Sequence, residues 1–564
     1  MTSPPSTPDW PTLAPYAGRW VAIVRGRVTG VGWTAAEARR ASKHTRPKEQ
    51  PEVVFVPVVE MPMTTDCLRL PEWPWGPVRA LAEERNVCIW PVGGVVRDLL
   101  LGRPIHDWDF AVAGETDRAG LDLARAVADA AGGVFFPLDA ERGTGRAIVS
   151  APDGSSVELD FALLRGETIE ADLRTRDFTI NAMALDQRGG LINVVGGEAD
   201  LQARRLRALG SRTFRADPIR LLRAVRLEAD LGFRIESQTA AWIVRDAPLL
   251  VESSAERVRD EFMRIVTMEG AAAALRRMNG LGLLERVVPE MEELKDVTQS
   301  PPHRFDVFDH ALAVVEVLEG VLAVATGKTV GLRVLADVPA WAWGAMTHSL
   351  GEFAADVAEH LATELSGGRT RADLLKLMAL MHDLGKAETW SQDDEGRIHF
   401  YEHEHVGASL AAARLRALRF SRGETRRAHT IVKAHLRPLH LARTERVTRR
   451  AIYRYFRATE DAGVDVALLA LADHLATWGP ALPEDRWARR LEVAQLLLTH
   501  YFDRYEQTVA SPPLIDGGDL MEVLGLGPGP EIGRLLQAIR EAQAVGEVST
   551  PEEALTLAQR LHRA

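Results

Sequence analysis

Val92-Gly-Gly-Val-Val-Arg97-Asp-Leu-Leu-Leu-Gly-Arg-Pro-Ile-His-Asp107-Trp-Asp109 carries most of the functional information in this 564-residue chain. A Gly93-Gly94 turn opens a helical stretch, and a D-x-D pair follows it. On an extended strand, positions i and i+2 point the same way, so the carboxylates of Asp107 and Asp109 share one face. Two oxygen ligands held together at a sheet edge suit Mg²⁺, which takes one or two carboxylates plus substrate phosphates. The Gly-Gly backbone and the helix start that follows can approach a triphosphate closely. Read together, these residues fit a metal-dependent nucleotidyl-transfer site.

Outward from this stretch, residues 75–198 mix short apolar strands with helical segments, which predicts an α/β or α+β domain. The strands are CIWPV from Cys88, WDFAVAG, RAIVSA, VELDFALL and LINVVGG. From about 199 onward apolar residues recur at three and four, as in Leu221, Leu222, Val225 and Leu227, and predict helices. In the strand at 157–161, Glu158 and Asp160 face one way, and Asp160 is the candidate third carboxylate. Asp172–Ala184 gathers Arg174, Arg176, Asp177 and Asn181. Arginine can neutralise triphosphate oxygens, and Asp and Asn can bond ribose hydroxyls. In Ala216-Asp217-Pro-Ile-Arg220-Leu-Leu-Arg223, the spacing i, i+3, i+6 is expected to put the three polar residues along one side of a helix. An acceptor beside an arginine donor can read the edge of a base.

These segments resemble the class II transfer-RNA nucleotidyltransferases, the family of CCA-adding enzymes and bacterial poly(A) polymerases. VGGVVRDLLLGRPIHDWD is similar to its first motif, DLRTRDFTINAMA to the second, and DLQARRLRALG to the third. ADPIRLLRAVRL resembles the fourth, an amino-acid template for the incoming nucleotide. SAERV from Ser254, with GLLERVVPE downstream, resembles a helical fifth element. The resemblance implies an α+β architecture: a polymerase-β-like head, an all-α neck and body, and an all-α domain beyond. It also implies that Asp107 and Asp109, with Asp160, carry catalysis with Mg²⁺, and that Gly93, Gly94, Arg97 and Arg176 lie against the nucleotide. Asp177 and Asn181 would hold the ribose, Asp217 and Arg220 would select C or A, and Arg223 would support that site. The implied partners are the tRNA 3′ end, CTP and, for some members, ATP.

The chain departs from the family pattern in three places. Ala216 stands where Glu is frequent, and Thr175 precedes Arg176-Asp177 where Arg is frequent. More tellingly, only residues 163–171 separate the third-carboxylate strand from the second motif. Full CCA-adding members have a long flexible segment there. Its loss resembles variants that add only CC and leave the final A to a separate A-adding enzyme. CC addition is therefore the leading expectation. Full CCA addition, a poly(A) polymerase, and an HD phosphodiesterase or ribonuclease with an RNA-binding head follow it.

Further along, His382-Asp383 ends an apolar helix and Lys386 follows as a candidate phosphate contact. His310 lies upstream; His403, His405, His435 and Asp473 lie downstream. This order resembles the HD phosphohydrolase superfamily, with His310, His382, Asp383 and Asp473 as a metal quartet. His405 and His435 match positions that bring a second metal in some members. Imidazole with carboxylate suits Mn, Fe, Ni, Co or Zn, and such a metal would activate water for phosphoester hydrolysis.

Composition sets the remaining bounds. Apolar content of 46% and charged content of 26% are those of a globular protein. The formal charge of −11 does not point to nucleic acid, but residues 199–234 hold nine Arg against four acids, a local basic stretch. Cys67 and Cys88 fit no disulfide framework or metal spacing and are expected to be reduced, packed thiols in a cytoplasmic protein. Met1 is not followed by a signal-like apolar core, and no run of 18 apolar residues predicts a membrane span. The expected divisions are a disordered 1–15, a small ββαβ module of unassigned role over 16–70, and a head over 71–198. A neck and body over 199–300, an HD domain over 301–510 and a helical tail over 511–564 complete them. The Gly-rich turns of the tail are candidate RNA-phosphate contacts.

Overall fold

The structure is a computed structural model that describes residues 19–24, 27–32, 38–39, 42, 50–56, 68–105, 107–328 and 337–563. Residues 1–15 and Cys67, for which disorder and a packed thiol were expected, lie outside the described residues. The chain divides into two compact units, Pro57–Ser254 with Gly280–Arg286, and Met1–Val56 with Ala255–Asn279 and Val287–Ala564.

In the second unit, the N-terminal module contributes an antiparallel sheet in the order β2-β1-β3, from β1 (Arg19–Val24), β2 (Arg27–Gly32) and β3 (Glu52–Val56). Val21 and Ile23 alternate into its small core.

The first unit is built on a five-stranded mixed sheet ordered β4-β5-β8-β7-β6. Its strands are β4 (Cys88–Pro91), β5 (Asp107–Ala113), β6 (Val134–Asp139), β7 (Thr144–Ser150) and β8 (Ser156–Leu163). β5 and β8 run parallel, and the other pairings are antiparallel. The two-residue period explains the layering. Trp108, Phe110, Leu159 and Phe161 are buried against helices α1 (Glu72–Glu84) and α3 (Ala119–Ala131), while α2 (Gly94–Leu100) follows β4. Phe110 and Phe161 stack with ring centroids 5.0 Å apart. The intervening acids are thereby turned to the opposite face. Cys88 opens the edge strand β4 and is an exposed free thiol, which corrects the expectation of a packed one.

Two strand expectations are revised. The LINVVGG segment supplies only Leu191–Ile192, paired with Ala184–Leu185 outside the main sheet. β6 was not anticipated: Val134, Phe136 and Leu138 are exposed on an edge strand, so no buried face imposes an alternating polar pattern.

The units also divide elsewhere than at residues 198 and 300. Residues 199–254 stay with the head, where Arg220 and Arg223 of helix α4 (Arg220–Leu231) bond the 175–177 segment. Helix α5 (Ala255–Thr267) instead joins the second unit. Lys376 donates to its Thr267 and to Met268 through their carbonyl oxygens, at 3.0 and 3.2 Å.

The second unit is otherwise helical. α6 (Val307–Ala325) and α10 (Gly463–Trp478) are apolar on most sides and buried, as such helices must be. Between them in sequence come α7 (Arg371–Met381), α8 (His403–Ala417) and α9 (Arg422–Ala434). α11 (Glu484–Phe502) follows. The last three helices, from Gly517 to Arg563, enclose a small core around Leu520, Leu535 and Ile539. In the glycine-rich turn, Asp516 caps its helix by accepting from the Gly518 and Asp519 N–H groups, which occupies those donors.

Candidate functional sites

On the polar face of the head, register brings Asp107 opposite Glu158 and Asp109 opposite Asp160. Four carboxylates thus line two adjacent strand ends. Arg146 of β7, in register with Asp160, donates to both Asp160 oxygens at 2.7 and 2.8 Å and also bonds Glu158. Among the described residues, no arginine is clasped on Asp107 or Asp109 in this way. Burial, then the neighbouring Asp160, pushes the Asp109 carboxyl up to about 6. Crowded, partly desolvated carboxylates are stabilised by a divalent cation. The donor set therefore fits Mg²⁺, and Asp160, placed where expected, is engaged by Arg146.

Gly93 shows why the turn is glycine. Its φ is +67°, and a Cβ there would lie 3.2 Å from Arg176 and 3.6 Å from an Asp109 oxygen. The bare backbone thus sits against both an acid and an arginine. Behind it runs a polar chain. Arg97 donates to the Asn181 side-chain oxygen at 2.8 Å, and the Asn181 amide donates to Asp177 at 3.2 Å. Arg223 donates to the other Asp177 oxygen at 3.0 Å. Burial would raise the Asp177 carboxyl, but Arg223, Asn181 and the Phe178 N–H outweigh it and hold it below the usual range.

The template segment differs from its expected form. Asp217 precedes α4 with extended backbone (φ −157°, ψ 100°), because Pro218 disfavours helical geometry in the residue before it. Only Arg220 and Arg223 are helical. Arg220 is buried and donates to the Thr175, Arg176 and Thr213 carbonyls at 3.1–3.3 Å, so it anchors the second motif to the fourth. Asp200 went unrecognised in the sequence. Its fully buried carboxylate accepts from Thr179, Arg205 and Arg207 at 2.6–2.7 Å and ties the second motif to the third. Arg205 and Arg207, five and seven positions after the acid, were the available signal.

The linker after β8 is short and fastened. Five residues, 164–168, separate β8 from the helix Ile169–Leu173. Thr168 caps that helix, and Asp172 accepts from the Arg165 N–H at 3.0 Å.

In the second unit, His310, His382 and Asp473 converge from α6, the end of α7 and α10, and Asp383, His403 and His435 form an adjoining trio. Asp383 lies between them. One oxygen is 3.2 Å from His382 Nε2 and 3.7 Å from His310 Nε2, and the other is 3.3 Å from His403 Nε2 and 3.7 Å from His435 Nε2. His382, His403 and His435 each hold a backbone carbonyl through Nδ1, which leaves Nε2 as the inward atom. Among the described residues, the buried His382 Nε2, although 3.2 Å from Asp383, makes no aligned hydrogen bond. Burial, then His382, lowers the His435 imidazole to about 3, so it is neutral and its lone pair is available. Inward-facing imidazole nitrogens, one of them orphaned, around a buried carboxylate fit a divalent transition metal.

His405 is corrected to His403. His403 and Gly407 share a face of α8, and that face packs on the His-Asp turn because Gly385 has no Cβ. A Cβ on Gly385 would overlap the His403 carbonyl. His405, two residues on, points outward and its side chain is 53% exposed.

A five-stranded sheet presenting two acids beside a Gly-Gly turn defines a nucleotidyltransferase-type head. The model of the poly(A) polymerase head domain matches residues 89–207, that of the RNA and SrmB-binding site of polymerase A matches 232–295, and that of tRNA nucleotidyltransferase domain 2 matches 404–558. The chain is 36% identical to the A-adding tRNA nucleotidyltransferase of Deinococcus radiodurans, over 83% of this chain and 94% of that one. It is 33% identical to the CC-adding tRNA nucleotidyltransferase of Thermus thermophilus, over 82% and 92%. It belongs to the class II tRNA nucleotidyltransferase family. The fold is shared with a Bacillus stearothermophilus CCA-adding enzyme solved with CTP, at TM-score 0.53 and 23% identity over 88% of this chain and 98% of that one. Among the described residues, no helix is long and apolar enough to cross a membrane.

Proposed function

We propose that the head adds C residues to the 3′ end of tRNA from CTP and stops at CC, leaving the final A to a separate enzyme. The observation that carries nucleotidyl transfer is the meeting of the Gly93 backbone, Asp109 and Arg176. Asp107 and Asp109 would hold two Mg²⁺ ions, which supply charge neutralisation for the attacking 3′-hydroxyl and the leaving pyrophosphate. Arg97 and Arg176 neutralise phosphate oxygens, and Asp177 and Asn181, fixed by Arg223 and Arg97, present acceptors to the ribose. Asp217 lies beside the anchored Arg220 at the base site.

The stop at CC is favoured by the fastened linker, which leaves no mobile segment to reset the base site from C to A. A second reading, addition of A alone, is favoured by the likeness to the Deinococcus radiodurans enzyme. Transfer RNA lacking CCA, and the same RNA ending in CC, are incubated with Mg²⁺, CTP and ATP and sized at single-nucleotide resolution. The expected result is two nucleotides on the first RNA and none on the second. One nucleotide on the CC-ended RNA alone identifies an A-adding enzyme. Three on the first identify a full CCA-adding enzyme, and a long tail a poly(A) polymerase.

The histidine–aspartate cluster is proposed to be an HD-type phosphohydrolase centre in which His310, His382, Asp383 and Asp473, with His403 and His435, hold a divalent transition metal. Such a metal supplies Lewis acidity and a water of lowered pKa. His403→Ala is expected to lower the metal content of the purified protein and hydrolysis by at least about tenfold. His405→Ala should leave both within about twofold. Equal effects of the two substitutions, measured by metal analysis and p-nitrophenyl phosphate hydrolysis, would count against His403.

A further inference from the structure

The cleft that opens onto this cluster has a volume of about 830 Å³. That is the size of a site for a nucleotide-sized ligand rather than a single phosphate. Its wall away from the cluster is basic. Arg443 ends the helix Arg437–Arg443, and Arg486 and Arg490 stand one turn apart on α11. Among the described residues, none of the three pairs with a carboxylate. Their neighbour Arg489 is occupied by Glu492 at 2.6 Å and the Thr444 carbonyl at 2.7 Å. Elsewhere in the unit, arginines such as Arg369, Arg414 and Arg427 are matched to acids.

Beside this wall, His474 is 7% exposed, lies flat on Trp487 with centroids 6.1 Å apart, and has a buried Nε2 without a hydrogen-bond partner among the described residues. Three mutually repelling guanidinium groups face one space in an acidic protein, and the His474 ring forms part of its lining. A bound polyanion relieves that repulsion, and guanidinium matches phosphate in geometry. At the rim, Tyr401 stacks on His399 at 5.2 Å and is itself 70% exposed, leaving a flat face for a base.

We propose that Arg443, Arg486 and Arg490, with His474, form an anion subsite for a second phosphate of the molecule whose first phosphate sits at the cluster. The substrate class is then a nucleotide bearing two or more phosphates, either a free nucleoside polyphosphate or a phosphorylated RNA end. Assigning the first phosphate to the cluster rests on the phosphohydrolase reading above; the basic wall does not.

The full-length protein and an Arg443→Ala/Arg486→Ala variant are titrated calorimetrically in EDTA with pyrophosphate, ADP and a short RNA carrying a 3′-phosphate. Both side chains are on the exposed wall, and both substitutions lie outside the head, so its contribution is common to the two proteins. Pyrophosphate, and at least one of ADP and the RNA, should bind about tenfold more weakly to the variant. Loss confined to ADP identifies a free nucleotide, and loss confined to RNA an RNA end. Equal affinity of the two proteins for all three probes overturns the subsite. Hydrolysis of p-nitrophenyl phosphate with Mn²⁺ uses the cluster without the wall and should be equal in both. Arginine-dependent binding with no hydrolysis leaves the subsite standing and removes the phosphohydrolase reading. Intact hydrolysis with arginine-independent binding does the opposite.

Discussion

Alanine at Asp107 or Asp109 is expected to abolish nucleotide addition while p-nitrophenyl phosphate hydrolysis stays within about twofold. Metal charge stabilisation is worth several kcal/mol in such transfers, and a loss of 4 kcal/mol is about a thousandfold in rate. Arg146 already engages both Asp160 oxygens, so that third carboxylate offers poor rescue. Stability gives a second, independent readout. Burial and Asp160 raise the Asp109 carboxyl to about 6 without metal. An acid whose folded pKa is raised costs stability as pH climbs from about 4 to 6, and carries the full cost above that. Asp109→Asn should therefore raise the melting temperature in EDTA at pH 7.5 and lose that advantage when Mg²⁺ is added, since the wild-type carboxylate then gains a partner. A fall in both activities, or a destabilised Asn variant in EDTA, would show that Asp109 is not the crowded metal acid inferred here.

The parts legible in the sequence are those where one residue's neighbours are set by local periodicity. Alternation along β5 and β8 puts Asp107, Asp109, Glu158 and Asp160 on one face, whatever the rest of the chain does. The His-Asp pair at the end of an apolar helix is local in the same way. Where sequence and structure differ, the deciding contact is in most cases remote. His403 rather than His405 turns inward because Gly385, eighteen positions earlier, admits that face of the helix. Asp217 leaves the helix through a local rule that its spacing to Arg220 obscured. Arg220 looks like a free base-reading donor in sequence, yet its nitrogens are claimed by carbonyls more than forty residues upstream and by Thr213. Asp200 was missed because burial, not motif spacing, makes a carboxylate structural.

Asp383→Ala is expected to have the largest effect in the second unit, on metal content and on folding together. Its carboxylate is 2% exposed and lies 2.7 Å from the ammonium of Lys386, itself buried, as well as near four imidazoles. Among the described residues, Lys386 keeps one other acceptor, the Gln299 side-chain oxygen at 2.7 Å, which carries no charge. Removing one partner of a buried pair costs about 3–5 kcal/mol, because the other charge is stranded. The melting temperature should fall by several degrees in metal-free protein, and purified protein should carry almost no transition metal. Asp383→Ala/Lys386→Met removes both charges and should recover much of the stability without recovering metal or hydrolysis. That separation distinguishes a metal ligand from a structural counter-ion. If the double variant regains metal, Asp383 serves Lys386 rather than the metal centre. If Asp383→Ala alone keeps its metal and melts normally, the bridging position seen between the two trios has no functional weight. Nucleotide addition, assayed well below the lowered melting temperature, should persist in every one of these variants.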